Sequence, residues 1–185
     1  AALDTSDGLA LFDTSSVFFG REVVEALRGW SAAPVRTVVY THGHVDHVGG
    51  SGAIAADADG CGHPRPRVVA HRAVNRRFER YDATNGLNLA INARQFGGTG
   101  PARSLGMGDG GVRFLPPDVL RPTECFDEAL VVRVGSTDLE LHHDRGETDD
   151  HVWAWLPDRR AVFVGDLLTW VFPNCGNPQK VQRYP

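Results

Sequence analysis

The first third of the chain alternates short apolar runs with amphipathic stretches. Gly8–Asp13 (GLALFD) is an apolar run closed by the polar Thr14-Ser15-Ser16, the pattern of a buried strand. Phe18–Trp30 places Phe19, Val23, Val24, Ala26, Leu27 and Trp30 at helical spacing, which predicts an amphipathic helix. Pro34 breaks the chain, and the β-branched Val35–Tyr40 (VRTVVY) reads as the next strand. Val45–Ala58 is rich in small residues and predicts a helix. Val68–Ala70 predicts a short strand and Arg72–Tyr81 another helix.

Asp82–Thr123 breaks this rhythm. It is rich in Gly, Pro, Asn and Arg and reads as a long connection with helix near Leu87–Phe96. Connections of this length often carry lids or binding loops. From Ala129 the pattern becomes β: Leu130–Val134, Leu139–His142, Val152–Leu156 and Ala161–Val164, with turns at Gly135-Ser136-Thr137 and Pro157-Asp158-Arg159-Arg160. Trp153 and Trp155 alternate on one of these strands and are assigned to the core. Strands that first alternate with helices and then run as hairpins predict an α/β fold of two packed mixed sheets with helices outside.

Composition narrows the function classes. The chain has 185 residues, enough for a single domain over 1–185, with 42% hydrophobic and 23% charged positions. A net charge of -4 argues against a nucleic-acid or anionic-membrane partner. No apolar run approaches the ~20 residues that span a bilayer. Ala1–Gly8 lacks the basic start of a signal peptide. Cys61, Cys125 and Cys175 are odd in number and widely spaced, which suits free thiols in a reducing, cytoplasmic setting. The missing initiator Met and the ending Val181-Gln182-Arg183-Tyr184-Pro185 suggest a piece of a longer protein.

The chemistry is concentrated in Thr41–Gly50 (THGHVDHVGG). His42, His44, Asp46 and His47 follow a predicted strand directly, and imidazole and carboxylate are ligands that zinc takes readily. Ligands in open sheets gather beyond the carboxyl ends of strands. Residues two apart in extended chain point the same way, so His42 and His44 can share one metal. Asp46 and His47 come after the chain turns and can face a second. Gly43, Gly49 and Gly50 let the backbone approach closely.

This strand-HxHxDHxGG block resembles the signature of the metallo-β-lactamase superfamily. The resemblance implies an αββα sandwich, with His42 and His44 at a first metal and Asp46 and His47 at a second. Gly146-Glu147-Thr148 aligns with the family's Gly-His-Thr, so Glu147 stands where a first-metal His is usual. Asp166 of Val164-Gly165-Asp166 aligns with the carboxylate that bridges both metals. Glu at the third position resembles the alkylsulfatase-like branch, as does Gly165-Asp166-Leu167-Leu168 through Phe172-Pro173-Asn174. Ile91-Asn92-Ala93-Arg94-Gln95-Phe96 is similar to that branch's substrate-side insertion. The family's final second-metal His has no counterpart, since no His follows His151. The expectation is a domain truncated at its C-terminus, with the second site underliganded if the chain ends here.

Other residues carry weaker expectations. His143 is an alternative to Glu147. One of His142 and His143 is expected outside the sheet and the other near the site. His151 reads equally as a solvated residue and as one that supports the site. His63 and His71 read as surface or cap residues, and Cys175 as a buried small hydrophobe. Arg94, Tyr81 and Asn85 are candidate substrate contacts, Arg94 through its fork geometry for sulfate or carboxylate.

The expected function is a dinuclear zinc hydrolase that uses a metal-bound hydroxide on an alkylsulfate-like or related ester, a small-molecule substrate. Asp46 is assigned to orient the hydroxide as well as to bind metal. Iron or manganese is the alternative to zinc. Alternative functions are a thioester, lactone or β-lactam hydrolase, a diiron oxidoreductase using the carboxylates of Glu147, Asp46 and Asp166, or an inactive metal-binding fragment. A homodimer is one option for the oligomeric state.

Overall fold

The structure is a computed structural model that describes residues 1–95 and 113–168. A five-stranded sheet is built from β1 (Ala2–Thr5), β2 (Gly8–Phe12), β3 (Val35–Val39), β4 (Arg67–His71) and β5 (Glu124–Phe126), in that order across the sheet. β1 runs antiparallel to β2, and the other pairs are parallel. Parallel strands need crossovers, and the helices supply them. These are α1 (Gly20–Trp30) after β2, α2 (Val45–Val48) and α3 (Ser51–Gly60) after β3, and α4 (Ala73–Ala83) and α5 (Asn85–Gln95) after β4. A second sheet follows as an antiparallel meander of β6 (Ala129–Val134), β7 (Thr137–His143), β8 (Val152–Leu156) and β9 (Ala161–Phe163).

Alternation along β2 explains the layering. All five of its residues are buried. Leu9 and Leu11 join Val38, Tyr40, Ile54, Val74 and Phe78 in a core beneath the helices. Ala10 and Phe12 face the other way and meet Val69, Leu139, Leu141, Val152 and Leu156 between the two sheets. A strand buried on both faces has to be apolar throughout, which is why GLALF shows no polar alternation. Arg28 ties the helical layer together: its guanidinium grips both carboxylate oxygens of Asp57 on α3 and donates to the carbonyls of Ser31 and Ala33 just past α1.

The expected α/β architecture of two sheets with helices is present, and the finer expectations need several corrections. Among the described residues the second sheet pairs only antiparallel. The helix expected over Val45–Ala58 is broken into α2 and α3 by Gly49-Gly50. There the backbone passes so close to the end of β2 that a Cβ on Gly50 would collide with the Thr14 carbonyl. β1 and β5 are edge strands too short for a periodic signal. The helix expected near Leu87–Phe96 is present as α5, α4 runs on to Ala83 rather than ending at Tyr81, and Leu115 and Val119 return to the helical core. Phe96 lies outside the described residues. Trp153 and Trp155 are not core residues. They alternate with the buried Val152, Ala154 and Leu156, so the two-residue period of β8 turns both to the outer face.

Candidate metal centre

The site forms where β2 and β3 end side by side. Asp13, just past β2, has a positive φ of 59°, a left-handed conformation that Asp tolerates better than most residues. Its carboxylate accepts from the Thr41 backbone N–H at 2.8 Å, from the Thr41 hydroxyl at 2.7 Å and from Nδ1 of His47 at 2.8 Å. Thr41, two residues past β3, and the helix turn beyond it are thereby pinned to one carboxylate. Because Nδ1 of His47 points at Asp13, Nε2 is left to face Asp166 Oδ2 at 3.4 Å and Asp46 Oδ2 at 3.8 Å.

His42 is fully buried, and His44 is held at the extended residue before α2. Nε2 of His42 lies 3.0 Å from Nδ1 of His44, and these two nitrogens lie 3.2 and 3.1 Å from Oε2 of Glu147. Glu147 comes from the loop between β7 and β8, where a Cβ on the preceding Gly146 would strike the His151 ring. Asp166 comes from a 3₁₀ turn after β9. Gly165 enters that turn at φ 50° and packs so closely on the Thr41 side chain that a Cβ would overlap it.

Two donor groups result. His42, His44 and Glu147 form the first, and His42, His47 and Asp166 the second; within each the ligand atoms lie within 4.8 Å of one another. Imidazole and carboxylate are the donor types divalent zinc or iron accepts. Oε2 of Glu147 is buried, and among the described residues no N–H points along a hydrogen-bond line at it. The donor set therefore fits a divalent cation. Asp46 stands at the rim of the second group with its side chain largely exposed.

Electrostatics bear out the geometry. The imidazoles of His42 and His44 hold the Glu147 carboxyl far below the usual carboxylate range. Burial pulls the His47 pKa down, but the hydrogen bond and charge of Asp13, with Asp166 and Asp46 behind it, outweigh burial and lift it to about 9.

Several expectations are redirected. His151, open between solvated and supporting roles, is fully buried. It stacks on His42 at 5.1 Å, and its Nε2 lies 2.8 Å from the Val164 carbonyl that leads to Asp166. Burial lowers its pKa to about 4, so it is a neutral donor there. His143 does not replace Glu147: it stacks on His71 at 3.9 Å and bonds the Asp149 carbonyl. His71 is buried rather than on the surface, and its Nδ1 accepts from the Ala73 N–H at the start of α4, a capping contact. His142 lies on the outer face against Trp153. Tyr81 is buried in the helical core. Asn85 accepts from the Phe114 N–H and fastens the connection. Arg94 is exposed in the last turn of α5. Cys175 and Phe172–Asn174 lie outside the described residues.

A cleft of about 470 Å³ reaches Asp46 and His47 and is walled by Phe12, Val23, Leu27 and Trp30. Asp13, Asp150 and Arg77 also build the site, although no motif singled them out. The sequence signal for Asp13 is only a carboxylate closing the strand beside the His-bearing one.

A sequence profile described as the metallo-beta-lactamase superfamily matches residues 2–170. The chain belongs to the metallo-β-lactamase superfamily. One curated relative, a linear primary-alkylsulfatase of Pseudomonas sp. (strain ATCC 19151), is 23% identical over 171 residues, covering 89% of this chain and 32% of the relative. The chain thus spans about a third of that protein. Among solved structures, a double mutant of the sec-alkyl sulfatase PisA1 superposes with a TM-score of 0.66 at 20% identity, over 89% of this chain and 27% of that one. The protein TTHA1623, solved in a di-iron-bound form, superposes with a TM-score of 0.58 at 21% identity, over 94% of this chain and 69% of that one. Among the described residues no helix is long and apolar enough to cross a membrane.

Proposed function

We propose that this superfamily domain is the metal-binding part of a two-metal hydrolase that cleaves an ester of a small molecule, with an alkyl sulfate ester as the leading class. The observation that carries the reading is the pair of donor groups meeting at one buried histidine, His42. His42, His44 and Glu147 would hold one ion, and His47 and Asp166 the other, with Asp46 at its rim. When bound, such a pair of ions supplies an acidified water and Lewis acidity toward the ester oxygens. The chain's own residues do the rest. Asp13 fixes the tautomer of His47, and Asp46 is placed to accept a proton or hydrogen bond at the exposed side of the centre. The apolar wall of Phe12, Val23, Leu27 and Trp30 supports a substrate with an aliphatic part. The alkylsulfatase relatives favour the same class. Zinc is the leading metal, and the di-iron relative makes iron the competing one.

Two measurements test this. Metal analysis of wild type and His44→Ala should show the variant losing metal; equal stoichiometry in both removes the ligand assignment. A hydrolysis screen of the zinc-loaded full chain against sulfate ester, lactone, thioester and β-lactam should give its fastest turnover with the sulfate ester. Turnover confined to another class replaces the substrate while keeping the metal centre.

A further inference from the structure

Asp150 is buried without any solvent exposure, yet it carries a carboxylate. Its Oδ2 accepts from Nε of Arg77 at 2.7 Å and from the backbone N–H of Gly43 at 3.3 Å, and its Oδ1 takes the Thr148 hydroxyl. Gly43 lies between His42 and His44, and Thr148 follows Glu147. One carboxylate therefore joins the two chain segments that carry all three donors of the first group, across a separation of 107 residues. Arg77 supports it from α4, where its second nitrogen holds Asp149 at 2.8 Å. The fit is close: a Cβ on Gly43 would meet both the Arg77 stem and Asp150 Oδ2.

A buried ion pair is a poor source of stability, because desolvation offsets most of its Coulomb gain. Its value lies in direction, since each oxygen of Asp150 is committed to a different ligand-bearing segment. The second group has its own supports: Asp13 holds His47, and His151 holds the carbonyl before Gly165.

We propose that Asp150 and Arg77 are positioning residues for the first donor group, setting the distance between the His42–His44 pair and Glu147 and hence the metal affinity of that group selectively. This rests on the metal reading above. Groups that orient metal ligands from behind typically change affinity by roughly 10–100-fold when removed.

The test is calorimetric titration of the metal-free full chain with zinc alone, in competition with a chelator, with Glu147→Gln and Asp166→Asn used to assign the two steps. Asp150→Asn and Arg77→Lys are expected to weaken the first step by roughly 10–100-fold and to leave the second within about threefold. Thr148→Val removes one contact without stranding a charge, so it keeps the test alive if Asp150→Asn fails to fold. It should give a smaller loss at the same step. Equal weakening of both steps, or an unchanged first step, overturns the proposal. A wild-type chain that takes up no zinc removes the metal reading, and the positioning role with it. Two intact steps with no selective loss remove the positioning role alone.

Discussion

Nδ1 of His47 sits 2.8 Å from a carboxylate oxygen of Asp13, a residue 34 positions earlier at the end of the neighbouring strand. The same carboxylate holds the backbone and hydroxyl of Thr41, so the start of the His cluster and its last histidine share one anchor. Asp13→Ala should weaken zinc at the second donor group by roughly 10–100-fold, and by less at the first, which Asp13 reaches only through Thr41. In the metal-free protein it should also bring the His47 titration, followed by NMR, down from about 9. A variant that keeps both the affinity and the titration would remove Asp13 from this role.

Metal-free protein should be most stable near pH 6.5. His47 is raised to about 9 in the folded state, above the ~6.5 of an unfolded His. Its contribution is therefore complete below ~6.5 and is lost as pH rises through about 9. His151 has the opposite sign. Burial lowers it to about 4, so the unfolded chain binds a proton that the folded one refuses, and stability is lost as pH falls from ~6.5 toward 4. Urea unfolding midpoints across pH 4 to 10 check this; a steady rise from acid to base would contradict it.

His151→Phe keeps an aromatic ring, slightly larger than imidazole, but removes the hydrogen bond to the Val164 carbonyl. A carbonyl that loses its buried donor costs about 1–3 kcal/mol. The variant should therefore lose stability in denaturant titrations and bind zinc more weakly at the Asp166 side. Full stability would mean that the stacking on His42 alone carries the residue's role.

Two glycines should respond in opposite directions. Gly165→Ala places a Cβ at φ 50° against Thr41, a strained position expected to cost about 1–3 kcal/mol. Gly29, on the exposed face of α1, has open space around it, and Gly29→Ala should stabilise by about 0.5–1 kcal/mol. Thermal unfolding of the two variants side by side decides the matter.

The sequence carried those parts of the molecule whose signal is local. GLALF announces a strand because every position is apolar, and VRTVV because every position but Arg36 is β-branched. His42, His44 and His47 announce a metal because three imidazoles fall within six residues. Glu147 and Asp166 could be matched through the family pattern, and the fold brings both to the histidines. What stayed hidden depends on contacts between distant segments. Asp13 looks like a strand terminator until β3 lies beside β2. Asp150 and Arg77 are two ordinary charges until α4 packs behind Gly43. Trp153 and Trp155 misled because hydrophobicity alone does not say which face of β8 is covered; that depends on register against β7.

Sharing His42 between two groups also fixes a sequence of events. Glu147 lies 105 positions beyond His42 and Asp166 lies 124 beyond it (147 − 42 and 166 − 42). They arrive on a sheet that must first dock against the one holding the histidines. Contacts so distant along the chain close late, since the loop entropy they cost is offset only when the packing behind them is in place. During refolding the nascent first sheet should present the imidazoles with Asp13 and Asp46 but neither Glu147 nor Asp166, an incomplete set of donors. If the centre binds zinc as proposed, the time course of zinc capture during refolding should follow the docking of the two sheets.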